Sequence, residues 1–292
     1  IFDMTEEKTP LIFHEYPDKL IRLTKENNEH TFVFAARKGL ASLTICQDCG
    51  HIVTASDGSA PMVLYENPNG NYFYSPHTKE KRRADEKCFY CGGWRLKPLG
   101  LGIDTIEKEI KSIAPDTKIF RLDKDTVSTH KKAISIIKEF YETPGAILLG
   151  TEFASSYMTE DVDNIIITTI DSLLALPDFQ IQEKTLRTLL SFRSKARKNY
   201  VLQTRNPDQE IFEYAVKGNA GKMIDNELES RKKFKFPPFH TLIKITLQGP
   251  EQIIQEHAKE IVHYLGEANA DTYPAHISKI RGSHILNILL RI

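Results

Sequence analysis

Four cysteines, the only ones in the chain, form two Cys-x-x-Cys pairs, Cys46 with Cys49 and Cys88 with Cys91. Two thiolates three residues apart can bind one metal ion from a single tight turn, and each pair is followed by a glycine that permits positive φ. Four thiolates complete the tetrahedral coordination of a structural zinc ion and leave no open position for catalysis. The alternatives are four free thiols or two disulfides, and the chain's size and lack of a visible secretory signal argue against disulfides.

The two cysteine pairs are separated by residues 50–87, a longer interval than in the usual zinc ribbons. A zinc ion here would close the base of a long insertion. Within it, the turn-forming residues 66–71 lie between two β-prone runs, Val63–Tyr65 and Tyr72–Tyr74, which predicts a β-hairpin. The basic run 79–83 is typical of a solvated loop.

No motif of an autonomous active site is present. The sequence has no Walker-type phosphate loop, no Gly-x-Ser-x-Gly elbow and no His-Glu-x-x-His motif, and its ten histidines are scattered. Asp123 and Asp125 lie two residues apart at a strand end, an arrangement more typical of a turn than of a metal or acid pair.

Charge and composition limit the function further. The 292 residues include 39 basic and 39 acidic side chains, so nucleic-acid contacts would have to come from local patches. The length suffices for two domains. No apolar run approaches the roughly 20 residues of a membrane span, and no signal peptide is visible, which predicts a cytoplasmic protein without a membrane partner. Because the chain begins with Ile1 and stops inside the apolar run 285–292, we interpret it as a piece of a longer protein.

From Leu99 to about residue 209, short β-prone runs alternate with helical segments, which predicts an α/β fold with a doubly wound parallel sheet. The predicted strands are 31–36, 43–46, 118–122, 146–151, 164–170 and 200–204, and the predicted helices are 105–114, 129–143 and 180–198. Asp104 and Glu107 predict a capping box for the first of these helices, whereas residues 1–20 show no clear periodicity. Ligands bind at the carboxyl ends of such strands, where Thr151 lies.

The pattern changes after Pro207. Two helices are predicted within 210–234, a half-exposed strand at 241–247, a helix at 251–268, and a terminal hairpin from 275–280 and 284–292. The predicted domains are an α/β lobe of residues 1–45 and 94–209, the insertion 46–93, a helical connector 210–238, and a small, truncated α+β domain 239–292.

Several segments occur in one informative order: Phe-Val-Phe-Ala-Ala-Arg-Lys-Gly at 32–39, Leu-Gly-Leu-Gly-Ile-Asp at 99–104, Arg-Leu-Asp-Lys-Asp-Thr at 121–126, Ile-Leu-Leu-Gly-Thr-Glu at 147–152, Asp-Ser-Leu-Leu-Ala-Leu-Pro-Asp-Phe at 171–179, and Glu-Leu-Glu-Ser-Arg at 227–231 with Phe-Pro-Pro-Phe at 236–239. Together they resemble the C-terminal half of the primosomal replication-restart helicases. The resemblance implies a RecA-like second lobe of a superfamily 2 helicase with a zinc-binding insertion. It also implies forked or junction DNA and other primosome proteins as partners, and Arg37, Lys38 and Thr151 as phosphate contacts.

The chain departs from this family in its cysteines. The family has two further cysteine pairs and a second zinc ion, and the matching positions here hold Ser56, Ser59, Tyr74 and His77. A serine hydroxyl is a poor zinc ligand, so the resemblance implies one zinc ion, bound by the two remaining cysteine pairs.

A second departure concerns the motor. The Lys-Gly that follows motif V in the family is absent, and the stretch that matches motif VI, 191–198, lacks both glycines. Lys195 and Lys198 stand at the two arginine positions, although Arg193 or Arg197 could serve after a register shift. Lysine cannot replace the planar arginine fork that stabilises phosphoryl transfer. We therefore expect a degenerate nucleotide site of Arg193, Lys195 and Lys198, with ATP and magnesium involved only if the full-length protein retains the motifs of a first lobe.

Three functions are compatible with these observations. The first is a replication-restart protein that binds forked DNA without ATP-driven unwinding. The second is an active ATP-dependent 3′–5′ DNA helicase completed by a missing N-terminal lobe. The third is a zinc-stapled scaffold that recruits primosome proteins, which the zero net charge favours.

Overall fold

The structure is a computed structural model. It describes residues 1–5, 12–36, 43–56, 62–65, 70–75, 80–84, 87–99, 102–124, 126–127, 129–174, 180–266, 270–280 and 283–292. The chain divides into two compact units, one of Ile1–Ser42 with Gly100–Met223 and one of Leu43–Leu99 with Ile224–Ile292. The finer division into four parts stays a prediction.

The strands within the described residues are β1 (Phe2–Asp3), β2 (Thr31–Ala35), β3 (Leu43–Cys46), β4 (Val63–Tyr65), β5 (Tyr72–Tyr74), β6 (Lys81–Arg83), β7 (Leu96–Leu99), β8 (Ile119–Leu122), β9 (Ile147–Gly150), β10 (Val162–Thr169), β11 (Ala196–Thr204), β12 (Leu242–Gly249), β13 (Ala270–Ile280) and β14 (Ser283–Arg291). The helices there are α1 (Glu15–Glu26), α2 (Ile103–Ile113), α3 (His130–Glu142), α4 (Glu152–Ser155), α5 (Asp171–Leu174), α6 (Ile181–Arg193), α7 (Glu210–Lys217), α8 (Gly221–Lys233) and α9 (Glu251–Leu265). Among the described residues, no helix combines the length and the apolar character that a membrane span requires.

The first unit is built on a six-stranded sheet in the order β1-β11-β10-β2-β9-β8. All of its strand pairs are parallel, and Phe32 in β2 lies between Leu148 of β9 and Ile165 of β10. Strands β2 and β9 are buried along their whole length, as expected for central strands of a parallel sheet. The predicted α/β fold class is confirmed.

Helices cover both faces of this sheet because successive strand residues point to opposite sides. Phe32 and Phe34 pack in one core with residues of α3, α6 and α7, whereas Val33 and Ala35 pack in a second core with residues of α1 and α2. Successive side chains of β2 therefore point alternately into two buried cores. Each core is apolar, so the sheet is doubly wound.

Four sequence predictions differ from the structure in this unit. Strand β1 and helix α1 are absent from the sequence prediction, because β1 has only two residues and six of the twelve residues of α1 are charged. The predicted helix 180–198 ends at Arg193, because the chain then enters the sheet as β11, where Ala196 pairs with Val162. The capping box is also wrong: α2 begins after Gly102, without a side-chain cap.

The second unit contains two antiparallel sheets within residues 43–99 and one in the C-terminal residues. Strand β3 pairs with β7, and β4, β5 and β6 form a three-stranded sheet in which Leu64 pairs with Phe73, so the predicted hairpin is confirmed. In the C-terminal residues the sheet order is β12-β14-β13, and Ala258 of α9 packs against Ala270 and Ile288. The predicted terminal hairpin is formed, although its first strand begins earlier, at Ala270.

Arg121 ties β8 to α2 through a group of carboxylates. Its guanidinium lies 2.6 Å from Asp123, 2.7 Å from Asp104 and 2.9 Å from Glu107. Burial lowers the pKa of Arg121, but hydrogen bonds and charge from these carboxylates outweigh it and raise the pKa above its ordinary value. Asp123 is fully buried and accepts a hydrogen bond from the Thr126 backbone N–H at 3.1 Å, so it marks a turn, as predicted.

We expect Arg121→Met to lower the free energy of unfolding by about 3–5 kcal/mol, because it removes the arginine from a buried carboxylate. The matched control is Lys138→Met, which breaks an exposed pair with Glu142 at 3.7 Å and should cost less than about 0.5 kcal/mol. Urea unfolding followed by circular dichroism measures both. Equal effects of the two substitutions would show that the Arg121 network does not stabilise the lobe.

Candidate functional site

The structure brings all four cysteine thiols together. Their sulfur atoms lie within 4.8 Å of one another, with 3.6 Å between Cys46 and Cys91 and 3.7 Å between Cys49 and Cys88. All four are free thiols, so neither disulfide is formed. Tetrahedral zinc with Zn–S bonds of about 2.3 Å would separate the sulfurs by about 3.8 Å. The donor set and its spacing therefore fit a single zinc ion.

The two cysteine pairs have the same backbone conformation. The Gly50 N–H donates to the Cys46 carbonyl at 2.8 Å, and the Gly92 N–H donates to the Cys88 carbonyl at the same distance. Both glycines have positive φ, 76° and 73°. A residue with a Cβ adopts this conformation only with strain, which explains why a glycine follows each pair. Two equal turns thus present four sulfurs to one point.

The thiols could not all ionise at neutral pH without a cation. Burial raises the pKa of Cys88, but the backbone N–H groups of Cys91 and Tyr90 outweigh it and lower the pKa to about 7. The backbone N–H of His51 lowers the pKa of Cys49, yet burial and the neighbouring thiols raise it to about 12. A divalent ion would supply the charge that lets four thiolates coexist.

Pairing of β3 with β7 explains how cysteines so far apart in the sequence meet. Cys46 pairs with Leu96 in this ribbon, and the Gln47 N–H donates to the Arg95 carbonyl at 2.8 Å. The Arg95 side chain also donates to Asp48 at 2.6 Å. The ribbon and the ion pair therefore bring the first cysteine turn next to the second.

The positions that match the family's second zinc site have other contacts. Both the backbone N–H and the hydroxyl of Ser56 donate to Glu80, at 2.8 Å and 2.6 Å. The Tyr74 ring lies 6.1 Å from that of Tyr65. Ser59 and His77 lie outside the described residues. Hydrogen bonding and ring packing thus occupy the two described positions.

Three aromatic side chains project from the second cysteine turn. Phe89 is 84% exposed, Tyr90 72% and Trp94 78%, and the Tyr90 ring stacks on His51 at 3.5 Å. A contiguous group of exposed apolar side chains is a common feature of binding surfaces. The sequence analysis did not single them out, although Phe89 and Tyr90 lie between two predicted metal ligands and Trp94 follows three residues after the second of them.

Thr151 lines a crevice of about 470 Å³ at the carboxyl ends of β2, β8 and β9. The crevice is also lined by Ala36, Lys124, Phe153 and Ser156, together with Glu152. Lys124, which the sequence alone did not single out, contributes a cation at this edge, with its Nζ 6.0 Å from the centre of the Phe153 ring. The predicted contacts Arg37 and Lys38 follow Ala36 in the sequence and lie outside the described residues.

Two of the predicted nucleotide-site residues bond to backbone carbonyls. Arg193, the last residue of α6, donates through Nε to the Val216 carbonyl at 2.8 Å. Lys195 donates through Nζ to the Met158 carbonyl at 2.8 Å. Both contacts hold neighbouring elements of the lobe together.

The third residue, Lys198, lies 2.8 Å from Glu29 and 3.3 Å from Asp163. The hydrogen bond that Lys198 donates to Glu29, together with its hydrogen bond to Asp163 and the negative charge of both carboxylates, outweighs desolvation and raises the pKa of Lys198. Lys198 belongs to the first half of β11, whereas Thr151 directly follows the end of β9. Because the strands are parallel, the predicted nucleotide residues lie at their amino ends, whereas the predicted DNA contact Thr151 lies at their carboxyl ends.

The chain is an α/β protein in which a doubly wound parallel sheet of the RecA-like kind is interrupted after strand β2 by a four-cysteine insertion. No family model matches the chain. The chain is similar to the C-terminal part of replication restart protein PriA, which confirms the resemblance predicted from the sequence.

The similarity extends over most or all of the chain in several bacteria. It is 29% identical to PriA of Rickettsia typhi over 305 aligned positions, which cover 99% of this chain and 46% of the relative. It is 28% identical to PriA of Borreliella burgdorferi over 249 residues, 82% of this chain and 37% of the relative. For Bacillus subtilis PriA the identity is 23% over 259 residues, 85% and 32%. The chain thus spans less than half the length of these curated relatives.

Proposed function

We propose that the chain is the DNA-binding helicase lobe of a replication-restart protein, which binds forked DNA and does not support ATP-driven unwinding. The observation that carries this proposal is the strand-end crevice with Thr151 and Lys124. Arg37 and Lys38 come directly after Ala36 in the sequence, and Ala36 lines the same crevice. A lysine and a threonine in this crevice, with an arginine and a lysine next to it in the sequence, suit the phosphates of a DNA backbone.

Binding of this kind does not depend on the base sequence. Lysine and arginine contacts to phosphates release counterions, so affinity falls as salt rises. Phosphate contacts set the position of a protein on DNA but carry no sequence information. Recognition of a fork would then depend on the shape of the junction, which fits a protein that acts wherever replication stops.

Loss of the motor is supported by the residues of the former motif VI. Lys195 and Lys198 have protein partners at 2.8 Å, the Met158 carbonyl and the Glu29 carboxylate. A lysine in an ion pair is a point charge and lacks the bidentate geometry of the arginine that stabilises a transferring phosphoryl group. The lobe would therefore still bind DNA although it no longer supports ATP hydrolysis.

An active helicase is the second candidate, and one observation favours it. Arg193 is exposed, and only its Nε donates to the Val216 carbonyl. If the full-length protein has a first lobe with bound ATP and magnesium, this guanidinium could turn toward the nucleotide. Hydrolysis would then depend on Arg193 rather than on Lys195 or Lys198.

We further propose that Cys46, Cys49, Cys88 and Cys91 bind one zinc ion with a structural role. The metal would fix both cysteine turns and hold the aromatic residues Phe89, Tyr90 and Trp94 in their exposed positions. This surface would contact DNA or other primosome proteins. Such a module would add partner binding to the lobe without changing its sheet.

We expect one zinc ion per chain, and we expect Cys88→Ser to release it, because three thiolates cannot complete a closed tetrahedral site. Residues 46–92 should then exchange amide hydrogens faster, while the six-stranded sheet, which belongs to the other compact unit, keeps its protection. Ser56→Ala is the matched control and should retain the metal. Two zinc ions per chain, or collapse of the sheet in Cys88→Ser, would contradict the proposal.

The DNA contacts are tested by the salt dependence of fork binding. Replacing Arg37 and Lys38 together by glutamine should flatten the slope of log K against log salt by about 1.4–1.8, and Lys124→Gln by about 0.7–0.9. Lys138→Gln, on the exposed side of α3, is the control and should leave the slope unchanged. Unchanged slopes in all variants would remove the strand-end crevice from the interface. Fork binding seen only at low salt would support the scaffold instead.

A further inference from the structure

A basic and aromatic segment joins α8 to β12 in the second unit. Residues 231–240 read Arg-Lys-Lys-Phe-Lys-Phe-Pro-Pro-Phe-His, and no acidic residue occurs between Glu229 and Glu251. Residues 232–239, which we term the lysine–phenylalanine turn, include the exposed Lys232, Lys233 and Lys235. Phe234 is 55% exposed and Phe239 45%.

The turn has a defined backbone. The Phe236 N–H donates to the Arg231 carbonyl at 2.8 Å, and the Lys235 N–H donates to the Lys232 carbonyl at 3.4 Å. These two bonds form the Schellman motif that ends many helices, in which the left-handed residue is usually glycine. Here that residue is Lys235, with φ of 56°. A strained side chain is retained where a glycine would fit better, which points to a use for its charge.

Arg231 links the turn to the preceding helix α8. Its Nε donates to Glu227 at 2.9 Å, and its Nη1 donates to the Pro237 carbonyl at 3.4 Å. The Phe239 N–H donates to the Phe236 carbonyl at 3.1 Å. The phenylalanine rings are therefore presented from an ordered backbone, which reduces the entropy cost of binding.

Helix stability explains only part of this surface. Lysines near the end of α8 interact favourably with the helix dipole, and Lys233 lies 5.5 Å from the centre of the Phe234 ring. These effects account for Lys232 and Lys233. They do not account for Phe234 and Phe239 being half exposed, nor for a lysine in the left-handed position.

We propose that the lysine–phenylalanine turn binds single-stranded DNA, with the three lysines on phosphates and Phe234 and Phe239 stacked on bases. Cationic residues interleaved with aromatic rings are the general means of binding single strands without sequence preference. Positive charge without an acidic neighbour in the segment complements a phosphate backbone, and flat rings suit bases better than they suit an acidic peptide. The proposal rests on the proposed function, because it assigns the single-stranded arm of a fork to this turn.

The test measures binding of the whole chain to a labelled oligothymidylate across a range of salt concentrations. Replacing the three lysines by glutamine should flatten the salt slope by about 2, at roughly 0.7 per phosphate contact on a single strand. Phe234→Ala and Phe239→Ala should each weaken binding roughly 5- to 150-fold, the equivalent of 1–3 kcal/mol per stacked base. Matched controls are Lys259→Gln and Tyr264→Ala on α9, where Tyr264 is 91% exposed, and both should bind as the wild type does.

The substitution Lys235→Gly distinguishes the contribution of the lysine charge to DNA binding from any effect on the stability of the turn. Because glycine suits the left-handed position, this variant should keep or raise the thermal midpoint, by up to about 3 °C, while it flattens the salt slope by about 0.7. A variant that is equally stable and binds with the full slope would overturn the role of Lys235.

Three outcomes would overturn the proposal as a whole. If the turn variants bind oligothymidylate as tightly as the wild type while the wild type still binds forks through the strand-end crevice, the turn has no DNA role and the proposed function stands. If the wild type binds neither oligothymidylate nor forked DNA, the proposed function fails as well. Binding of polyglutamate equal to that of oligothymidylate, and unaffected by the phenylalanine substitutions, would indicate an acidic protein partner instead.

Discussion

In a parallel sheet the carboxyl ends of all strands lie on the same side, and this constraint organises the larger unit of the chain. The ends of β2, β8 and β9 converge there, so that Thr151 and Lys124 line one crevice although they are distant in the sequence. For the same reason the first residues of β11, which include Lys198, lie at the opposite, amino-terminal ends of the strands. The proposed DNA contacts and the residues that match motif VI are thus separated by the direction of the strands.

The four-cysteine insertion solves a different physical problem. Residues 43–99 bury a small apolar core, which includes Met62, Leu64 and Phe73, and a segment of this size gains little stability from burial alone. A metal bound by all four sulfurs would supply the missing stability and would fix the two turns that carry the exposed aromatic residues. Where the family has its second metal site, Ser56 instead donates to Glu80, so this module depends on hydrogen bonding as well as on a metal.

The sequence predicted the features that local pattern controls. The hairpin of Val63–Tyr65 with Tyr72–Tyr74 and the buried strand Ile147–Gly150 follow from turn residues and apolar runs. The features it missed depend on tertiary contacts. Helix α1 is half charged and contains Pro17 in its first turn, and the polar start of β11 resembles a helix end until its pairing with β10 is known. The exposure of Phe89 and Trp94 depends on the folded cysteine turn. Lys124 becomes a candidate DNA contact only when the structure shows that it lines the crevice at the strand ends.

In the proposed function, the lobe binds DNA but no longer supports ATP hydrolysis. The most direct test measures ATP hydrolysis and forked-DNA binding by the full-length protein in one buffer, at physiological salt. We predict tight fork binding with no stimulation of hydrolysis by the fork, because Lys195 and Lys198 bond to protein groups and lack the arginine geometry. Fork-stimulated hydrolysis that Arg193→Ala abolishes would contradict the account and identify an active helicase.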